Sequence, residues 1–162
     1  MKEIRHERAR TAQGQRAGFV SQVVAAVLDA AWIFVVDFGV LAVFGFVRFL
    51  LTDDAYEMPQ PGPGGNATLV FVIGVVLLWS AWSGSGRAPG MALLGLRVVG
   101  RNRGELSSRR AFCRAVLAVA TLGVGVLWVL VSRKNKSLYD IVCGSAVVYA
   151  WRPGLDESRQ NR

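Results

Sequence analysis

The apolar residues of this chain are gathered into three long blocks, at residues 23–51, 69–82 and 115–131. A soluble core would require apolar residues spread along the chain at the helical or strand period. A helix that crosses a bilayer needs roughly 20 mostly apolar residues. The blocks therefore predict an all-α membrane protein with two long transmembrane helices and a third apolar segment. The length of 162 residues allows a single domain.

Charged side chains are distributed unevenly around these blocks, and the net charge is +8. Basic residues precede the first block and lie between the second and the third, whereas the loop at residues 52–66 has acidic residues but no Lys or Arg. Positively charged loops remain on the cytoplasmic side of a membrane. We therefore expect a multi-pass membrane protein, with the N-terminus and residues 83–114 in the cytoplasm. The same arginines predict contact with anionic phospholipid headgroups and not with nucleic acid.

Composition divides the chain into a basic cytoplasmic tail (residues 1–16), a membrane domain (17–150) and a polar C-terminal tail (151–162). The first apolar block has 29 residues. As a helix it would be about 43 Å long, so it must tilt in a hydrocarbon core of about 30 Å. The loop at 52–66 holds three of the five prolines, and no regular element is expected there.

The third apolar segment, at residues 115–132, is long enough for one crossing and too short for two. A single crossing would place Arg133, Lys134 and Lys136 outside, against the charge rule. The sequence "LGVG" at 122–125 offers a break. We therefore favour a re-entrant helical hairpin over a third span.

Two short stretches outside the apolar blocks have β character. They are "LRVV" at residues 96–99 and "GSAVVY" at 144–149. A hairpin in the third segment would let them pair as a small cytoplasmic sheet. Between them, a helix is expected to begin after Ser107 or Ser108 as N-cap.

Asp29 and Asp37 lie inside the first apolar block. Ionisable groups within a spanning helix are unfavourable unless paired, and are therefore functional candidates. Eight residues separate the two, which is about 80° around a helix and about 12 Å along it, so they are predicted on adjacent flanks and not as a carboxylate dyad. For Asp29 we expect a structural ion pair with an arginine. Asp37 is either a neutral acid bonded to another helix or a group that titrates during transport.

No catalytic or metal site is expected. The sequence "SGSG" at residues 83–86 lacks the spacing of a GxSxG nucleophile motif, and no Walker or GxGxxG motif is present. Cys113 and Cys143 are not in a CxxC arrangement and are expected to be small buried thiols. The single histidine, His6, lies in the polar tail, so no zinc site can form from His and Cys ligands. We expect no cofactor and no enzyme activity.

Three stretches form an ordered pattern: "AGFVSQVVAAVLDA" at 17–30, "PGMALLGLRVVGRNRGELSSRRAFCRA" at 89–115 and "SLYDIVCGSAVV" at 137–148. In this order they resemble the RDD family of small bacterial membrane proteins, named for one arginine and two aspartates. The resemblance maps the family aspartates onto Asp29 and Asp140. Other residues that fall on pattern positions are Gly18, Gly95, Gly104, Arg114 and Gly144.

The family's arginine would fall at position 22, where this chain has Gln22. If that arginine normally neutralises an aspartate, another residue must replace it, and Arg110 and Arg114 are the candidates. For Asp140 we expect a structural role, in which it docks the end of the domain against the arginines of residues 109–114.

The resemblance implies two kinds of function. Some family members look like monovalent cation/proton antiporters. Related domains accompany actinobacterial lipid-import (Mce-type) systems as accessory membrane proteins, and the Ala, Val, Arg and Gly content here is typical of a high-GC actinobacterium. We expect a non-catalytic accessory subunit that packs against other membrane subunits, because so few helices enclose little space for a pathway. The alternative is an antiporter that works through Asp29 and Asp37.

Overall fold

The computed structural model describes residues 15–52, 55–100, 106–121, 128 and 137–150. Its elements in chain order are α1 (Phe19–Thr52), α2 (Pro63–Gly84), α3 (Pro89–Leu93), β1 (Leu96–Gly100), α4 (Ser108–Ala120), α5 (Leu138–Cys143) and β2 (Ser145–Tyr149).

Two of these helices, α1 and α2, are long and apolar enough to cross a membrane. With 22 residues, α2 is about 33 Å long and matches a hydrocarbon core of about 30 Å, whereas α1, with 34 residues, is about 51 Å long. The expectation that the loop at 52–66 contains no regular element is wrong at its end, since α2 begins at Pro63. Gly62 is the N-cap, and proline is tolerated at the first helical position because its missing N–H has no partner there.

One stripe of α1 is buried, and both intramembrane aspartates lie on it. The buried residues are Gln22, Ala25, Asp29, Ile33, Asp37 and Gly45. Most of them follow one another at intervals of three or four residues, which places them on one helix face. Asp29 and Asp37, predicted on adjacent flanks, both lie within this buried stripe, and the helix separates them by about 12 Å.

The helix α4 packs chiefly against α2, and α1 crosses the same region. A glycine allows this approach. A Cβ atom on Gly74 of α2 would lie 3.1 Å from Val119 of α4 and 3.3 Å from Ile33 of α1. The predicted start of α4 is confirmed, with Ser107 as its N-cap.

The strands β1 and β2 form an antiparallel pair in which Leu96 lies opposite Tyr149 and Gly100 opposite Ser145. This confirms the pairing predicted from the two β-like stretches. The chain before α1 adds to the free edge of β2, because the N–H of Ala17 donates to the carbonyl of Val147 at 2.9 Å and the N–H of Tyr149 donates to that of Gln15 at 3.0 Å. We call α3, β1, α5 and β2 the cap.

The third apolar segment is described only in part. The helix α4 includes its first residues and ends at Ala120. The "LGVG" stretch at 122–125 lies outside the described residues, as do Arg133, Lys134 and Lys136. The choice between a hairpin and a third span therefore remains a prediction.

Candidate functional site

A fully buried arginine, Arg114 of α4, stands at the junction between the helices and the cap. Its guanidinium carbon lies 4.8 Å from the ring centroid of Trp82 and 4.7 Å from that of Tyr139. The cation is therefore held between two aromatic faces, whose π electrons attract it. Its Nη1 atom also forms an ion pair with the carboxylate of Asp140, which is equally buried.

Asp140 joins three elements through one carboxylate. It is part of a capping box at the start of α5, where its Oδ2 accepts from the N–H of Ser137 at 3.3 Å and from the hydroxyl of Ser137 at 2.6 Å. Its Oδ1 accepts from Arg114 of α4 and, at 2.9 Å, from the hydroxyl of Ser145 of β2. The carboxylate thus holds α4, α5 and β2 together.

The electrostatics of this pair favour its charged form. Burial by itself would raise the pKa of the Asp140 carboxyl, but the Arg114 guanidinium and the hydrogen bonds from Ser137 and Ser145 bring the pKa below its ordinary value. Asp140 is therefore ionised at neutral pH. The prediction that Asp140 docks against the arginines of residues 109–114 is confirmed, and the partner is Arg114, whereas Arg110 is exposed.

Asp29 has a different kind of partner from the one predicted. Its Oδ1 accepts a hydrogen bond from the backbone N–H of Gly90 at 2.7 Å. Gly90 lies in the first turn of α3, whose N-cap, Ala88, has no side-chain acceptor. Asp29 therefore supplies from α1 the acceptor that a capping residue normally provides. The expected ion pair with an arginine is not found among the described residues, where α3 instead brings a helix terminus to this carboxylate.

The contact between α1 and α3 depends on the absence of a side chain at Gly90. A Cβ atom there would lie 2.4 Å from the carbonyl oxygen of Ala25 and 2.8 Å from the Cβ of Leu28. The sequence-based reasoning missed this residue. The signal was present in "APG" at 88–90, since proline is common at the first helical position.

Comparison with known proteins identifies the family of this chain. The model of the RDD family matches residues 16–144. The chain belongs to the RDD family. Searches of curated proteins and of solved structures found no match. Asp29 and Asp140, which the resemblance maps onto the two family aspartates, connect α1 and α4 to the cap, through Gly90 and Arg114 respectively.

Gln22, which the resemblance places at the position of the family arginine, is buried on α1. Its Nε2 donates to the carbonyl of Ala17 at 2.8 Å, which links α1 to the segment that pairs with β2. Nearby, the hydroxyl of Tyr149 is 2.8 Å from that of Ser21 and accepts from the N–H of Gly18 at 3.4 Å. The role of Tyr149 was not anticipated, because a tyrosine at the end of a strand gives no sequence signal for such a contact.

Asp37 is separate from both aspartate contacts. It is only 6% exposed, and its Oδ1 has no hydrogen-bond partner among the described residues. Because Asp37 is two turns beyond Asp29 on α1, the two carboxylates do not act on one ligand atom.

The remaining predicted site residues have structural positions. Gly95 and Gly144 have positive φ angles of 65° and 63°, at the turns that precede β1 and β2. Gly104 lies outside the described residues.

Cys143 is buried but Cys113 is exposed, so the expectation of two buried thiols is wrong for Cys113. Burial and the neighbouring Cys113 raise the pKa of the Cys143 thiol to about 11. Among the described residues, no group of three or more His, Cys, Asp or Glu side chains is placed to hold a metal.

Proposed function

We propose that this RDD protein is a non-catalytic accessory subunit of a larger complex in the bacterial inner membrane. The observation that carries the proposal is that both aspartates of the family pattern bind another secondary-structure element. Asp29 binds the backbone of Gly90, and Asp140 binds Arg114. A carboxylate that exchanges ions must be released from its partners during each cycle, whereas these two hold secondary-structure elements together.

The outer surface of α1 supports an assembly with other membrane subunits. Large apolar side chains are exposed along most of this helix, including Phe34, Phe38, Phe44, Phe46 and Phe49. In a membrane, such a surface faces either lipid or the helices of another subunit. The family resemblance favours a lipid-import (Mce-type) transporter as the complex. The charge distribution of the sequence favours a cytoplasmic location for the N-terminus and for the cap.

Purification of the tagged protein from its native membrane in a mild detergent tests this proposal. We expect other membrane subunits to copurify in fixed proportion. We also expect Asp37→Asn to preserve the complex and most of its activity, because polar contacts between membrane helices are worth on the order of 1 kcal/mol and asparagine keeps much of the bonding capacity. Recovery of the protein alone, with no copurifying subunit, would contradict the accessory role.

The second candidate is a monovalent cation/proton antiporter. It is favoured by Asp37, whose buried Oδ1 has no partner among the described residues. A buried carboxyl group is stable only when it is protonated, hydrogen-bonded or bound to a cation. The purified protein in liposomes distinguishes the candidates, and we expect no Na⁺ or K⁺ movement driven by a pH gradient. Cation flux that is lost in Asp37→Asn or Asp29→Asn would replace the accessory proposal with the antiporter.

A further inference from the structure

A cavity of about 470 Å³ lies between α1, α2 and α4. Most of its wall is hydrocarbon, from residues such as Val23, Ala26 and Ala30 of α1, Leu78 of α2 and Val119 of α4. This volume is within the range of sites that bind small molecules. Water would need about 15 molecules to fill it at about 30 Å³ each, and the apolar wall offers few of the hydrogen-bond partners that ordered water requires. An apolar occupant matches most of this wall.

The polar residues of the cavity lie beside the cap, since Asp29 accepts a hydrogen bond from Gly90 of α3 and Tyr139 belongs to α5. Gln22 and Asp29 line it in the first part of the helix, together with Tyr139 of the cap, while Ile33 and Phe34 line it farther along. The wall extends from residue 22 to residue 34 of α1, about 18 Å along the helix axis. Half of a hydrocarbon core of about 30 Å is about 15 Å. The cavity thus has the length of one leaflet's acyl chains, with its polar end toward the cap.

The cavity opens through the side of the protein. Val27 and Phe34 border it and are 62% and 60% exposed, on the outer surface of a helix that is long and apolar enough to cross a membrane. In a bilayer, the medium at this opening is lipid hydrocarbon. An acyl chain can therefore enter sideways without leaving the apolar phase.

Charge determines which end of the lipid can be inside. Asp29 borders the cavity, and the nearby Arg114 is already paired with Asp140. A free carboxylate within the cavity would be repelled by Asp29. Outside the cavity, α4 carries the exposed Arg109 and Arg110. Ala118, the nearest residue of α4 that lines the cavity, is about 12 Å farther along the helix. Positive charge at this end of α4 attracts an anionic headgroup at the membrane surface.

We infer that this cavity binds one acyl chain of an anionic phospholipid, whose headgroup remains at the membrane surface near Arg109 and Arg110. The inference goes beyond the accessory role and does not depend on it. Lipid binding is measured on the purified chain, whereas the accessory role is tested by the subunits that copurify with it. Failure of one experiment leaves the other unaffected.

Photo-crosslinking in lipid nanodiscs tests this inference. The purified full chain is placed in phosphatidylcholine nanodiscs that contain phosphatidylglycerol with a diazirine in its acyl chain. We expect adducts concentrated on cavity residues such as Ala26 and Val119. Ala26→Trp fills the cavity and should reduce these adducts at least tenfold. Val43→Trp adds the same side chain on the exposed surface of α1 and should leave them unchanged. Thermal unfolding confirms that each variant is folded, and Ala30→Phe serves if Ala26→Trp does not fold.

Two further probes identify the lipid. A phosphatidylcholine probe with the same diazirine chain should label the cavity less than phosphatidylglycerol does, and the double variant Arg109→Gln with Arg110→Gln should remove that preference. A diazirine fatty acid should label it weakly. Adducts spread evenly over lipid-facing positions such as Val43, or unchanged in the folded cavity-filling variants, would mean surface lipid only and would overturn the inference. Stronger labelling by the fatty acid than by the phospholipid would overturn the assignment of a phospholipid, and labelling by the two phospholipids to the same extent would overturn the role of the arginines.

Discussion

Replacing Asp140 with asparagine removes the negative charge that neutralises Arg114 in the buried cluster. Asparagine can still accept a hydrogen bond from the N–H of Ser137, so the start of α5 keeps most of its capping. The guanidinium of Arg114, however, remains fully buried and loses its ion-pair partner. Removing one partner of a buried ion pair costs about 3–5 kcal/mol, which is a large part of a typical folding stability of about 5–15 kcal/mol.

This loss has a measurable size. In a chain of about this length, about 1 kcal/mol changes the Tm by roughly 2–4 °C, so Asp140→Asn should lower the Tm by on the order of 6–20 °C. The assay is thermal unfolding of the purified protein in detergent, followed by tryptophan fluorescence. Glu57→Gln is the matched control, because Glu57 is an exposed carboxylate and its neutralisation should leave the Tm nearly unchanged.

A double variant separates the ion pair from other effects of the substitution. Arg114→Met alone leaves Asp140 buried without its cation, and should also be strongly destabilising. In Arg114→Met with Asp140→Asn, both charges are absent, and the loss of stability should be smaller than the sum of the two single losses. Additive losses, or a Tm for Asp140→Asn within about 2 °C of the wild type, would refute the structural role of the pair.

Three other predictions concern the α3 contact, the ion pair and the topology. Gly90→Ala should destabilise the protein by about 1–3 kcal/mol in thermal unfolding, because the new Cβ would overlap the carbonyl of Ala25, whereas Gly64→Ala, with open space around it, should be harmless; equal Tm values would contradict this. Because the pKa of Asp140 is lowered on folding, the pair contributes stability above the ordinary aspartate pKa of about 3.9 and loses it as the pH falls through the lower folded value. The Tm of the wild type should therefore decrease below about pH 4 as Asp140 is protonated, and the Tm of Asp140→Asn should decrease less over the same range. The same dependence of Tm on acid pH in both proteins would contradict this prediction. A cysteine at Ser158, in a background without the native cysteines, should resist a maleimide reagent added outside intact cells, and ready labelling would indicate a full third crossing.

Several features of this fold could be predicted from the sequence because they depend on neighbouring residues. The first membrane-length helix follows from an apolar block of 29 residues, since a bilayer requires about 20 apolar residues per span, whereas the second block, at residues 69–82, is shorter than the 22-residue helix α2 that contains it. The start of α4 was predicted from the preference of serine for the N-cap position, although the Ser107 side chain makes no capping hydrogen bond in the structure. The pairing of β1 with β2 was predicted from two isolated β-like stretches. The contact of Asp140 with Arg114, one of the arginines of residues 109–114, was predictable because a carboxylate near the membrane surface can bind a basic side chain.

The partners of the α1 polar residues were decided only by the tertiary structure. Asp29 binds a backbone N–H, and every residue except proline has one, so no side chain in the sequence marks Gly90 as the partner. The choice depends on how closely α3 approaches α1, which the missing side chain of Gly90 permits. Likewise, the cavity between α1, α2 and α4 results from how three helices pack around Gly74, and the spacing of apolar residues along one helix contains no information about the space between helices.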